Sequence, residues 1–239
     1  MHSHEELAQL ETILEKERTR AGRILEILRS TLTIRDEDFA SVLIARESND
    51  PFRVLITTIL SQSCTDISAL RAYRRLDKRV GVTPDKLSQA RIGTIENSIR
   101  VAGLFRQKAR AIRSLAKVCD SKDLRRILRI DVETARLELQ QLPKVGPKTA
   151  DVLLSIWGRP TISVDTHVDR VSKRLSLAPK KGKYEEVRES LMSRFDETDY
   201  TSIPLLFMAH GRRFCKALSP LCPICPVMKL CPFEDKSAR

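Results

Sequence analysis

Residues 142 to 167 read LPKVGPKTADVLLSIWGRPTISVDTH. The stretch parses as a tight turn, an apolar helix, a return loop and the start of a second helix. Gly146 is expected to supply a turn that a Cβ would resist, and Pro147 follows at the first helical position, where its fixed φ and missing N–H do no harm. Ala150, Leu153, Leu154 and Trp157 recur every three to four residues, so one face of a helix from Pro147 to Trp157 is expected to be buried. Lys148 and Thr149 fall in the first turn, whose N–H groups lack intrahelical partners and point outward as donors for an anion. The geometry suits a phosphate. The positive pole of the helix start also disfavours a second positive charge, which favours the neutral, nucleophilic amine of Lys148.

The helix would be roughly 16 Å long at about 1.5 Å per residue. The loop from Gly158 to Val164 spans at most about 25 Å when extended, so it is long enough to bring Asp165 back towards Lys148. A carboxylate beside a tuned amine at a phosphate site is a chemical arrangement. Each residue also has a plain reading: Lys148 as a solvated surface group, and Asp165, ahead of Thr166 and His167, as a helix N-cap.

The 239-residue chain carries 43 basic and 31 acidic residues, a net charge of +12, which points to a polyanionic partner. No apolar run approaches the ~18 residues of a membrane span. The opening MHSHEE lacks the basic and apolar regions of a signal peptide, so a cytoplasmic protein is expected. Its six cysteines would then stay reduced, and clustered ones point to metal rather than disulfides.

Leu7, Leu10, Leu14, Ala21, Ile24, Leu25 and Leu28 mark one face of a long amphipathic helix, expected to pack on its own domain rather than as a coiled-coil dimer, because Glu17 interrupts the seam. A second helix is expected from Asp36 to Glu47. Asp50 and Pro51 then read as N-cap and first position of a helix through Leu60. A basic helix with Arg71, Arg74, Arg75, Lys78 and Arg79 follows, which taken alone reads as a solvated face. Further starts are expected at Thr83-Pro84, Ser121 and Asp131, and a turn at Gly103. Helices are also expected from Val168 to Leu175, Tyr184 to Phe195 and Pro204 to Arg213. Only the short run Thr161 to Val164 hints at two-residue alternation, so the fold is expected to be all-α. Cys64 and Cys119 read as buried free thiols and His210 as a structural, hydrogen-bonding histidine; His167 is ambiguous.

Near the C-terminus, Cys215, Cys222, Cys225 and Cys231 lie within 17 residues, separated by six, two and five residues. Thiolate-bound zinc is the general alternative for such a cluster, although its usual pattern is two close pairs and only Cys222 and Cys225 form one.

Taken together, the hairpin from Leu142 to Ala150 and the run Val164-Asp165-Thr166-His167 resemble the helix-hairpin-helix DNA glycosylases, specifically the endonuclease III family. The likeness covers the chain from about Pro51 to Cys231, and the cysteine spacing is similar to that family's four-iron motif rather than to ferredoxins. The resemblance implies two helical lobes, with DNA bound across both. One is a six-helix barrel over residues 51–157 containing the hairpin; the other combines residues 1–50 with 158–239 and carries a [4Fe-4S] cluster on the four cysteines. In the family the lysine at the position of Lys148 is the nucleophile and the aspartate at the position of Asp165 is essential. A glutamine fills the gap left by the extruded base, here Gln62 or Ser63 with the register open, and Leu104 matches a wedging leucine. Lys144, Gly146, Thr149, Arg212, Arg213 and Lys216 are the remaining expected DNA contacts. One departure stands out: the family usually has glycine where this chain has Lys144, so the backbone there must avoid positive φ or tolerate it.

The implied activity is a bifunctional glycosylase and abasic-site lyase acting on damaged double-stranded DNA, with oxidised pyrimidines as the expected lesion and a monomer as the expected state. A mismatch-specific thymine or uracil glycosylase with weak lyase activity shares the architecture, but Lys148 argues against it because that position is commonly substituted there. A non-enzymatic iron-sulfur DNA-binding regulator is the third alternative.

Overall fold

The computed structural model describes residues 4–119 and 123–234, with side chains from residue 15 onward. In chain order its helices are α1 (His4–Thr31), α2 (Ala40–Ser48), α3 (Pro51–Ser61), α4 (Asp66–Arg79), α5 (Pro84–Gln89), α6 (Ile92–Ile99), α7 (Phe105–Cys119), α8 (Leu124–Ile127), α9 (Val132–Gln140), α10 (Pro147–Ile156), α11 (Thr166–Arg174), α12 (Tyr184–Met192) and α13 (Ser202–Arg213). Among the described residues there is no strand. The described residues fall into two compact units, one within Arg35–Arg159 and the other combining residues up to Ile34 with those from Pro160 onward.

The first unit is built around α3, which is buried from Pro51 to Leu60 except at Arg53. A helix apolar on nearly all sides belongs at the centre of a layer of others. Asp50 caps it as the sequence indicates, its Oδ1 accepting the Phe52 N–H at 2.9 Å with Pro51 at the first position. Thr83 and Asp131 cap α5 and α9 in the same manner. Residues 35–50 belong with this unit, not with the terminal helices as expected. The reason is tertiary: α2 buries Ala40 and Ile44 against α3, the Ser41 and Thr58 hydroxyls share a hydrogen bond of 2.9 Å, and the Ala40 N–H donates to Asp66. The expected start at Ser121 lies outside the described residues.

The second unit packs α1 against α13 and α11 against α12 and α13. Ala21, Ile24, Leu25 and Leu28 are buried on the expected face of α1, among Val168, Val171, Leu191 and Phe207; the side chains of Leu7, Leu10 and Leu14 lie outside the described ones. Thr161 to Val164 forms no ladder. It is pinned instead by the buried Arg188, whose Nε donates to Thr161 Oγ1 at 3.0 Å, and by the Tyr184 hydroxyl, which accepts from the Val164 N–H. Gly211 sits where α13 crosses α11: a Cβ there would lie 3.0 Å from His167 Nδ1 and 3.1 Å from its Cβ. A side chain would push the helices apart.

Candidate functional site

The hairpin joins α9 to α10, and both helices are locked by a buried ion pair. Arg136 Nε donates to Asp151 Oδ1 at 2.7 Å and Nη2 to Oδ2 at 3.1 Å, a bidentate geometry. The chain between them turns at Lys144, which is exposed and adopts φ +62°. The left-handed conformation is therefore tolerated at a residue with a side chain, at a cost of roughly 1–2 kcal/mol. Gly146 corrects the sequence reading: its φ of −93° and ψ of −179° are extended, and a Cβ there would meet nothing within 4 Å. The fold itself does not require glycine at that position; the residue carrying the tight turn is Lys144. Lys148 is exposed in the first turn of α10, while Thr149 is only 5% exposed.

Two other loops of the same unit carry expected contacts. Gln62 and Ser63 are exposed just beyond α3, and Leu104, 58% exposed, follows Gly103 ahead of α7. Ser63 has φ +54° and Leu104 φ +45°. Three of the six described non-glycine residues at positive φ are thus Ser63, Leu104 and Lys144, each at the tip of a loop expected to meet DNA. Cys119 is buried as expected, but Cys64 is only half-buried.

In the second unit Asp165 is a helix N-cap: its Oδ1 accepts the N–H groups of His167 and Val168 at 2.8 and 2.7 Å. Neither bond uses Oδ2. Arg212 and Arg213 are exposed in the last turn of α13, and Lys216 is exposed just beyond it.

Cys215, Cys222, Cys225 and Cys231 all line one cavity, closed by Arg174, His210, Phe214 and Val227 among others. Burial, with the charges of Cys231, Cys215 and Cys222 adding to it, pushes the Cys225 thiol up to about 11. A bound cationic centre would reverse that unfavourable charge. The all-sulfur donor set around an enclosed space fits an iron-sulfur cluster. His210 is a partial correction: burial pushes it down to about 4, its Nδ1 has no partner among the described atoms, and its Nε2 lies 3.8 Å from Cys225 Sγ.

The sequence reading missed the arginines that hold this loop. Arg174 donates to the carbonyls of Lys216 and Ala217 at 2.6 and 3.0 Å, and its Nη1 lies 3.4 Å from Cys215 Sγ. Arg170 donates to the Cys215 carbonyl, and Arg20 to the carbonyls of Leu175 and Leu230. The available signal was Arg170 and Arg174 one turn apart on a helix that the cysteine loop must cover.

A family model for HhH-GPD superfamily base excision DNA repair proteins matches residues 56–197. The endonuclease III of Sulfolobus acidocaldarius is 37% identical over 215 residues, covering 89% of this chain and 96% of that one. The chain belongs to the endonuclease III family. Among solved structures, a non-covalent endonuclease III–DNA complex matches with a TM-score of 0.72 and 31% identity over 97% of this chain and 96% of that one. A trapped endonuclease III–DNA covalent intermediate matches with a TM-score of 0.67 and 34% identity, covering 84% and 97%. The all-α architecture anticipated from the lack of sustained two-residue alternation is that of the family, and no helix of the described residues is long and apolar enough to cross a membrane.

Proposed function

We propose that this chain is a bifunctional DNA glycosylase and abasic-site lyase of base excision repair, acting on damaged double-stranded DNA with oxidised pyrimidines as its preferred lesions. A base inside a duplex is out of reach, so the nucleotide is rotated out, and a damaged or mispaired base is the cheapest to extrude. Lys148, as neutral amine, attacks C1′ of the extruded nucleotide; the C–N bond to the enzyme forms as the glycosidic bond breaks and the base leaves with the bonding pair. Ring opening gives a Schiff base that acidifies the C2′ proton. Loss of that proton expels the 3′ phosphate by β-elimination and cuts the strand, and water then releases Lys148. Asp165 holds its helix through Oδ1 and keeps Oδ2 to move a proton or to offset positive charge developing on the sugar. Gln62 or Ser63 and Leu104 occupy the space the base vacates, while Lys144, Arg212, Arg213, Lys216 and the N–H groups beside Gly146 and Thr149 hold phosphates.

Cys215, Cys222, Cys225 and Cys231 would hold a [4Fe-4S] cluster, whose contribution when bound is structural, closing the C-terminal loop against α11 and α13. The observation that carries the reading is an exposed lysine in the first turn of α10, behind a buried clamp, in a chain 37% identical to an endonuclease III over nearly its whole length. Incubation with a panel of lesion duplexes in the presence of borohydride tests it. A covalent adduct on oxidised-pyrimidine duplexes is expected. Base release without an adduct would favour the mismatch-glycosylase alternative, and no base release on any duplex would favour the DNA-binding regulator.

A further inference from the structure

Lys108 on α7 is 3% exposed, an ammonium inside the core of the first unit. A buried charge persists only where its donors are satisfied, and this one is. Its Nζ donates to the Leu60 carbonyl at 2.8 Å and to the Ala102 carbonyl at 2.8 Å, and lies 3.9 Å from Cys64 Sγ. Both acceptors sit at the ends of helical turns, where carbonyls have no partner within the helix. The Leu60 carbonyl also accepts from the Cys64 thiol at 3.0 Å. Leu60 ends the buried run of α3 just before Gln62 and Ser63; Ala102 stands just before Gly103 and Leu104. The tips that follow hold left-handed conformations at Ser63 and Leu104, which persist only where the surroundings over-determine them. Leucine or methionine would fill the same space without the cost of burying a charge, but neither could bind both carbonyls at once.

We propose that Lys108 is a positioning residue for base extrusion: one buried ammonium ties the loop of Gln62 and Ser63 to the loop of Leu104, so that the gap-filling and wedging residues enter the base stack as a single unit. The inference rests on the reading of these loops as the extrusion device.

The test compares Lys108→Met, Lys108→Gln, Leu104→Ala and the double variant Lys108→Met/Leu104→Ala in the holoenzyme. A duplex carrying 2-aminopurine beside an oxidised pyrimidine reports unstacking, and borohydride trapping at a preformed abasic site reports chemistry on a sugar that has no base to extrude. Loss of two charged hydrogen bonds is expected to slow unstacking and base release about tenfold or more in Lys108→Met, while trapping at the abasic site changes by less than about threefold. Lys108→Gln, which keeps two N–H donors, falls between and carries the same comparison if Lys108→Met melts below the assay temperature. Because both residues act through one device, the double variant should be hardly slower at unstacking than Leu104→Ala alone. Equal losses on both substrates, or fully multiplicative losses in the double variant, would overturn the proposal. Normal unstacking by Leu104→Ala would instead overturn the wedge reading, and the role of Lys108 with it.

Discussion

The guanidinium of Arg136 and the carboxylate of Asp151 meet edge to edge inside the hairpin, with side chains 7% and 0% exposed. The pair fastens α9 to α10 less than one turn beyond Lys148. Removing one partner of a buried pair strands the other charge and typically costs about 3–5 kcal/mol. Asp151→Ala should therefore lower the urea midpoint of unfolding markedly, while Arg136→Met/Asp151→Leu should recover much of the loss. A single variant as stable as the parent would mean that water reaches the site.

Lys144 holds φ +62°, so Lys144→Gly should relieve about 1 kcal/mol of strain, read as a higher melting temperature. On the proposed reading the same change also removes a phosphate contact. Since each neutralised phosphate contributes about −0.9 to the slope of log affinity against log salt, the slope should become shallower by roughly one unit for every duplex tested. Lys144→Ala should show the same slope without the gain in stability. A change in lesion preference with the salt slope intact would contradict the assignment.

Lys148→Gln should bind damaged duplex with near-parental affinity yet give no borohydride adduct, because the residue is exposed and supports nothing in the core. Undiminished trapping would place the nucleophile elsewhere.

Asp165 can be separated into cap and chemistry because Oδ1 alone makes both cap bonds. Asparagine caps as well as aspartate, whereas alanine costs about 0.5–2 kcal/mol at such a position. Asp165→Asn should melt like the parent but lose turnover; Asp165→Ala should lose both. If Asp165→Asn turns over normally, the residue is a cap and nothing more.

Anaerobically purified protein should be brown and contain about four irons per chain, the expectation for a [4Fe-4S] cluster. Cys225→Ser should lose iron. Arg174→Met, which removes the bonds to Lys216 and Ala217 and the contact with Cys215 Sγ but leaves all four cysteines in place, should leave iron bound at first but expose the loop to protease. Stoichiometric zinc without iron would refute the cluster.

What the sequence made legible was local. The caps at Asp50, Thr83 and Asp131, the proline at the start of α10 and the cysteine spacing act over a few residues and are written in consecutive letters. Long-range partners were not legible. Residues 35–50 join the first unit because of what Ala40, Ser41 and Ile44 touch, and no composition signal marks that. Arg136 and Asp151 look like ordinary solvated charges until α9 and α10 face each other. The hairpin was legible in part: at Lys144, where positive φ had to be avoided or tolerated, it is tolerated, whereas Gly146, expected to supply the turn, is extended because backbone angles follow the whole turn.

The second unit is assembled from both ends of the chain, and that has a consequence during synthesis. α1 leaves the ribosome ahead of the first unit with Ile24, Leu25 and Leu28 on one face, yet their partners Val168, Val171 and Phe207 are translated only after that whole unit. At about 5–20 residues per second the wait lasts on the order of 10 s or more. For that interval the nascent helix carries a greasy stripe whose native partners have not yet been made.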